Sequence, residues 1–242
     1  MRRYLGFAAM ISLVASGSVQ GASEGSWSYE GEFGHTNWGG MCESGKMQSP
    51  IDLAESNVIA QVPVSVEWKM SPLTMFNNGK TIQANFAAGS SLTTSGEQFD
   101  LVQVHFHTPS EHMISGEAYP LVAHFVHAKQ DGELAVLGVM FEEGQPNAEI
   151  QKLIDNASSI GADATAVDGQ TFNPNELLPD QLAVYRYMGS LTTPPCSEGV
   201  NWHVVMDTVE ASGAQLEALE KFMGNNARPV QPVNSRLVVA PE

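Results

Sequence analysis

The residues of this 242-residue chain that are best suited to chemistry are its histidines. Most of them fall close together, between positions 105 and 127: His105, His107, His112, His124 and His127. A lone buried histidine is usually structural, whereas several neutral imidazoles in one place are a common ligand set for zinc and similar metals. The cluster therefore predicts a metal site, and the alternative is a satisfied polar core.

The segment 101–107 reads as a strand and carries the first two of these histidines. Side chains alternate between the faces of a strand, so His105 and His107 share one face with Gln103. Two imidazoles at this spacing can clasp one metal ion. The opposite face is apolar and predicts packing against a core.

The next apolar segment, 121–127, could lie antiparallel beside the first. Alternation places His124 and His127 on opposite faces of this strand and does not choose between them as the third ligand. Three imidazoles leave the fourth tetrahedral position for water, which is the catalytic rather than the structural form of a zinc site.

Short strands must hold these side chains in place. Segments with alternating or β-branched apolar residues are 62–68, 81–86, 101–107, 121–127, 134–141, 182–187, 201–206 and 236–239. The turn Asn77-Asn-Gly79 predicts a hairpin or tight connection. No βαβ rhythm is present, so we expect one domain of the mainly β (α+β) class with a largely antiparallel sheet.

Only two segments have convincing helical spacing. The first covers 146–158 and the second 212–223. In the second, Ser212 and Gln215 form a capping-box pattern and Gly224 is a plausible stop.

The amino terminus has the form of an export signal. Arg2 and Arg3 precede an apolar run and then small residues up to Ala22, a stretch too short to span a bilayer comfortably. We therefore predict a signal peptide over residues 1–22 and a mature domain over 23–242, located in the periplasm or secreted. A short membrane anchor is the alternative.

Charge and cysteine content agree with export. Losing Arg2 and Arg3 takes the net charge from −16 to −18, which argues against nucleic acid and anionic membranes as partners. Two cysteines in an exported chain predict one disulfide, Cys42–Cys196, and two free buried thiols are the alternative.

Short motifs in order along the chain resemble those of the bacterial α-class carbonic anhydrases. They are Trp27-Ser-Tyr29, Trp38, Gln48-Ser-Pro-Ile51, Asn77-Asn-Gly79, Gln103-Val-His-Phe-His107, Ser110-Glu-His112, Ala123-His-Phe-Val-His127, Leu134-Ala-Val-Leu-Gly138, Leu177-Leu-Pro179, Gly189-Ser-Leu-Thr-Thr-Pro-Pro195, Trp202 and Asn234-Ser-Arg236. Any one of these is weak, but together they cover nearly the whole predicted domain. The resemblance implies a central, twisted, mostly antiparallel sheet with a few short helices.

The resemblance also implies an enzyme and its cofactor. By the family pattern, Zn²⁺ is held by His105, His107 and His124, and the enzyme interconverts carbon dioxide and bicarbonate. A zinc-bound hydroxide attacks the carbon, and Thr192 and Glu111 orient that hydroxide. The family's bacterial members bridge cysteines placed like those of this chain, which supports the predicted disulfide.

Further roles follow from the same resemblance. The bicarbonate position is lined by Thr193 together with Thr192, and an apolar substrate wall is formed by Val126, Val136, Leu191, Val200 and Trp202. Gln103 is the expected partner of His105, and His107 is expected to donate to a backbone carbonyl near Asn234, since outer partners orient metal-bound histidines.

Two positions depart from the family pattern. Lys80 stands where efficient members have a histidine that relays protons, and a free lysine, with a pKa of about 10.4, is a poor acceptor at neutral pH. Val122 stands where the family usually has a glutamate that accepts the other ring proton of the third ligand. We therefore expect buffer-dependent turnover and weakened zinc retention.

Two other functions are open at this point. A family member that has become a binding or storage protein would share the fold, although such members usually lose a zinc histidine that this chain keeps. A zinc hydrolase of another kind is the third reading. The expected partner is the small-molecule substrate alone, and a homodimer is compatible with the sequence.

Overall fold

The computed structural model describes residues 27–242, so the signal predicted for residues 1–22 lies outside the described part. One sheet of 13 strands dominates the molecule. The strands are β1 (Val58–Ile59), β2 (Val64–Glu67), β3 (Ser71–Asn77), β4 (Ile82–Asn85), β5 (Ser91–Thr94), β6 (Glu97–His107), β7 (Leu121–Ala128), β8 (Leu134–Glu143), β9 (Thr165–Phe172), β10 (Val184–Ser190), β11 (Glu198–Val205), β12 (Val209–Ala211) and β13 (Val238–Ala240).

The long path through the sheet has the order β1-β13-β10-β11-β8-β7-β6-β4-β3-β9. Most neighbours are antiparallel, and the parallel pairs are β1 with β13, β11 with β8, and β12 with β8. The mainly β class and the mostly antiparallel sheet are therefore confirmed. The turn after Asn77 joins β3 to β4 as an antiparallel pair, as its sequence predicts.

Within residues 27–242, three helices and four short 3-10 turns surround the sheet. They are α1 (Met41–Ser44), α2 (Ala148–Ala157), α3 (Gly213–Met223) and the turns Gly31–Phe33, His35–Asn37, Leu53–Glu55 and Pro174–Leu177. Both predicted helices are present. Ser212 and Gln215 form the reciprocal capping box, which satisfies two amide groups that the first turn leaves without helical partners.

Each face of the sheet carries its own apolar cluster. The larger one packs α2 and α3 against the face that bears Val104, Phe106 and Phe125. The smaller one, on the other face, includes Val122 and Trp202. Among residues 27–242, no helix has the length and apolar character needed to cross a bilayer.

Candidate metal centre

Three histidines converge on adjacent strands of the central sheet. His105 on β6 lies directly across from His124 on β7, and His107 follows two residues along the same face. One ring nitrogen from each of these histidines lies within 4.8 Å of the others. Antiparallel pairing thus brings together side chains that alternation had placed on one face of each strand.

The outer nitrogens of the first two imidazoles are held by the protein. Nδ1 of His105 lies 2.9 Å from Oε1 of Gln103, which is where the shared face predicts a partner. Nδ1 of His107 lies 2.8 Å from the carbonyl oxygen of Asn226. Because an acceptor occupies each Nδ1, the Nε2 atoms of both rings are free to face a metal.

The third imidazole is turned the other way round. A Cβ atom added at Gly138, on β8, would lie 3.7 Å from Cδ2 of His124, so this edge of the ring faces β8. The Nδ1 edge therefore faces β6 and the other two imidazoles. Its Nε2 atom is buried, and no described residue offers it a hydrogen bond.

The side chain two residues before the third imidazole explains this lack of a partner. Val122 is fully buried and lies between His107 on one side and Met140 on the other. A valine cannot accept the proton on Nε2 of His124. The departure noted in the sequence therefore leaves a polar atom unpaired beside the candidate metal ligands.

Burial favours the neutral form of two of the three imidazoles, those of His105 and His124. It lowers the pKa of His105 and His124 well below the usual value, and neighbouring histidines lower it further. A neutral ring can donate its lone pair to a metal, whereas a protonated ring cannot.

His127, the alternative third ligand, lies on the opposite face of β7. Its ring stacks on Trp68 at a centroid distance of 5.6 Å. The structure thus groups His124, not His127, with the two imidazoles of β6.

Glu111 lies between the metal-facing histidines and the chain's carboxyl-terminal segment. Its Oε1 atom accepts a hydrogen bond of 2.9 Å from the backbone N–H of Arg228 and lies 3.5 Å from Nδ1 of His107. Burial raises the pKa of Glu111, while His107, the Arg228 amide and a hydrogen bond from the Thr192 side chain act in the opposite direction. Thr192 is buried, and its side chain lies near enough to Glu111 to affect the pKa of that carboxyl group.

The residues expected to form the substrate wall come together. Val136, Val200 and Trp202 are buried in the smaller apolar cluster, and Val126 and Leu191 pack against it. Trp202 also lies against the third imidazole, with 4.9 Å between ring centroids. Thr193 is half-buried in the loop between β10 and β11, where its carbonyl accepts the N–H of Cys196.

The expectation for Asn234 is wrong. Its side-chain amide donates to the carbonyl of Lys46, and the carbonyl next to His107 is that of Asn226. The side chain of Asn226 receives the N–H of Thr108 at 2.7 Å and donates to the carbonyl of Phe106, which anchors it at the end of β6. Sequence reasoning missed this residue because it lies in an irregular segment without periodicity.

Arg228 is the second residue that the sequence did not reveal. Its guanidinium donates to Gln48 and to the carbonyls of Ser49 and Cys42, while its amide binds Glu111. Arg228 thus ties residues 42–49 to the carboxylate beside the histidines, through its guanidinium on one side and its backbone amide on the other.

Lys80 lies next to Asn226, whose side-chain amide donates to the Lys80 carbonyl. Its ammonium group donates to the carbonyl of Trp27 and lies 4.0 Å from the centroid of that residue's ring. Contacts of this kind, a charged hydrogen bond and a cation–π contact, hold a side chain in place. Lys80 therefore anchors the first described residue of the chain.

The predicted disulfide is present between Cys42 and Cys196. It fastens α1 to the loop that carries Thr192 and Thr193, and the same loop is closed by a hydrogen bond from Leu191 N to Ser197 O. A disulfide is typical of proteins in oxidising compartments.

Comparison with known proteins identifies what this arrangement is similar to. A sequence model of the eukaryotic-type carbonic anhydrases matches residues 33–242. A carbonic anhydrase of Pectobacterium carotovorum is 37% identical over 99% of this chain and all of its own length. The solved α-carbonic anhydrase of Photobacterium profundum is 45% identical, covers 88% of this chain and 99% of its own, and superposes with a TM-score of 0.82. That of Thermovibrio ammonificans in complex with the inhibitor sulfanilamide is 41% identical, with coverage of 90% and 100% and a TM-score of 0.82.

Proposed function

The chain belongs to the family of eukaryotic-type carbonic anhydrases, and we propose that it hydrates carbon dioxide reversibly to bicarbonate and a proton at a zinc ion held by His105, His107 and His124. The observation that carries this proposal is the convergence of three imidazoles, with one ring nitrogen of each within 4.8 Å of the others. The donor set fits zinc, because imidazole suits Zn²⁺ and three protein ligands leave a position for water.

The protein prepares this site before any metal arrives. Gln103 and Asn226 fix the outer nitrogens of two rings, and the unpartnered Nε2 of His107 is buried where a metal would satisfy it. When bound in such a site, zinc would act as a Lewis acid and lower the pKa of a water to about 7, the value known for this class of enzyme.

Thr192 and Glu111 orient the reacting oxygen in this proposal. Glu111 accepts the hydroxyl proton of Thr192, so the threonine oxygen can only accept a further hydrogen bond. A nucleophile that carries a proton is therefore held with a lone pair towards the substrate, and anions that lack a proton are rejected. Thr193 lines the position that bicarbonate leaves.

The apolar wall binds the uncharged substrate. Val126, Val136 and Leu191 present no charge that would hold an anion, and Trp202 closes the side next to the third ligand. Such a wall favours carbon dioxide over hydrated ions because it offers no compensation for a lost hydration shell.

Stopped-flow hydration of carbon dioxide by the protein, before and after zinc removal and across buffer concentrations, tests the function. We expect fast hydration that requires zinc and rises with buffer. Sulfanilamide should inhibit it, as that compound is an inhibitor of the Thermovibrio enzyme. No hydration by fully zinc-loaded protein would favour a binding or storage role instead.

We also propose a periplasmic or extracellular location. The disulfide and the export-type amino terminus support it. Protease accessibility in intact cells tests this, and protection that persists after the outer envelope is permeabilised would contradict it.

A further inference from the structure

Two imidazole rings that contact each other each carry one nitrogen without a hydrogen-bond partner. The two nitrogens are Nε2 of His124 and Nδ1 of His112, and both are buried without a hydrogen bond from any described residue. The two rings are nearly perpendicular, with centroids 6.1 Å apart. Both rings also contact Trp202, at 4.7 Å for His112 and 4.9 Å for His124.

Leaving two such atoms unpaired is costly. A buried polar group without a partner costs about 1–3 kcal/mol, and an imidazole has only two nitrogens to satisfy. The neighbouring wall offers no remedy, since Val122 and Val204 are buried and apolar. Each of the two nitrogens therefore lacks a hydrogen-bond partner, and the other nitrogen can supply one.

The far side of His112 is firmly held. Its Nε2 atom lies 2.6 Å from the hydroxyl of Tyr187, and that hydroxyl lies 2.8 Å from Oγ of Ser49. Ser49 Oγ in turn accepts the backbone N–H of Ser190. This chain of contacts fixes the plane of the His112 ring and hence the direction of its Nδ1 atom.

We propose that His112 is a positioning residue for the metal ligand His124. One bridging water accepts a hydrogen bond from Nε2–H of His124 and donates one to Nδ1 of His112. A water between two polar groups is nearly as favourable as a direct hydrogen bond. The inference rests on the proposed zinc site, because a metal on Nδ1 of His124 places the ring proton on Nε2.

The protons in the chain then have a defined direction. His112 donates from Nε2 to the oxygen of Tyr187, and Tyr187 donates to Ser49. Both hydroxyls can act as donor or acceptor, so the printed distances allow this direction.

This arrangement substitutes a neutral acceptor for a charged one. An imidazole reached through water raises the basicity of the ligand less than a carboxylate does. His112 therefore supports His124 only where position 122 supplies no carboxylate, and the contributions of the two positions should not be additive.

A double-mutant cycle on zinc release tests that coupling. Zinc loss to excess chelator is timed for the wild type, His112→Phe, Val122→Glu and the double variant. We expect His112→Phe to speed release about 10-fold in the wild-type background. In the Val122→Glu background the same change should alter the rate by no more than about twofold, because the carboxylate has replaced the imidazole as acceptor.

A matched control is available on β7, the strand that carries His124. His127→Phe also removes a buried imidazole, but from the opposite face of β7, and it should leave zinc release unchanged. Equal acceleration by His112→Phe in both backgrounds would overturn the proposal and reduce His112 to a packing residue.

A second measurement avoids variants that fail to fold. Nitrogen-15 NMR of the zinc-loaded wild type should show His112 protonated on Nε2 and not on Nδ1, and a proton on Nδ1 would contradict the proposal. Zinc stoichiometry and hydration rate are measured on the same sample. Protein that binds zinc without hydrating carbon dioxide would refute the proposed function alone, whereas active protein with additive rates would refute this inference alone.

Discussion

At the scale of single residues, position 122 sets the surroundings of the third imidazole. Val122 leaves Nε2 of His124 without a protein acceptor, whereas Gln103 and Asn226 serve the other two rings. In the proposed zinc site the three imidazoles are therefore unequal, and we expect a metal to detach first from His124.

We expect Val122→Glu to slow chelator-driven zinc loss. A carboxylate two residues before His124, on the same face of β7, can accept the ring proton and strengthen the ligand, and such partners change metal affinity by about 10- to 100-fold. Val122→Leu is the matched control and should release zinc like the wild type. Indistinguishable rates for the glutamate variant and the wild type would refute this expectation.

Lys80 is the second residue whose replacement is informative. We expect Lys80→His to raise the maximal hydration rate at low buffer, because a histidine exchanges protons near neutral pH. Lys80→Met removes the contact with Trp27 without adding a relay, so it separates the two effects. A histidine variant that gains nothing at low buffer, or at high pH, would show that proton release is not limited at this position.

The limits of sequence reasoning are visible at this scale. Alternation alone groups His105, His107 and Gln103, because neighbours on one strand have a fixed geometry. It cannot choose between His124 and His127, and the structure decides that question through the pairing of β6 with β7. The partner of His107 was misplaced because the path of an irregular segment over a hundred residues away follows no period.

At the scale of elements, the strands at the centre of the sheet were predicted, whereas β3, β5 and β9 were not. Alternation marks β6, β7 and β8, which lie at the centre of the sheet. It does not mark β9, whose residues are mostly exposed and which contains Gly169. Helix α3 was predictable because its capping box and its apolar spacing agree.

The disulfide joins two elements that are far apart in sequence. Its cysteines are separated by 154 positions, and a loop of that size corresponds to about 5 kcal/mol of unfolding free energy in the chain-entropy account. We expect the Cys42→Ala/Cys196→Ala variant to unfold at markedly lower denaturant concentration than the oxidised wild type. Reductant should shift the wild type towards the variant and leave the variant unchanged, and coincident unfolding curves would contradict this.

At the scale of the whole molecule, buried histidines make stability depend on pH. Burial lowers the pKa of His127 and His203 to about 3, whereas an unfolded histidine titrates near about 6.5. Between these values the unfolded chain binds more protons than the folded one. Their contribution to the free energy of unfolding is therefore complete above a pH of about 6.5. As the pH falls below this value, each histidine lowers that free energy by about 1.4 kcal/mol per pH unit.

A single substitution isolates this effect from the many carboxylates of the acidic chain. We expect the unfolding free energy of His127→Phe to fall less steeply than that of the wild type below pH of about 6.5, by about 1.4 kcal/mol per pH unit. Denaturant titrations at several pH values measure the difference. Parallel slopes would mean that His127 is protonated in the folded protein.

The residues of the candidate site are far apart in the sequence, so they become available at different times during synthesis. The imidazoles lie on β6 and β7, whereas the carbonyl that fixes His107 belongs to Asn226, near the end of the chain. A chain that emerges amino end first presents its three histidines long before that carbonyl exists, and domains form as their segments become available. We therefore expect a metal bound early to be held weakly and to exchange. Its release should become slow only when the segment that carries Asn226 docks.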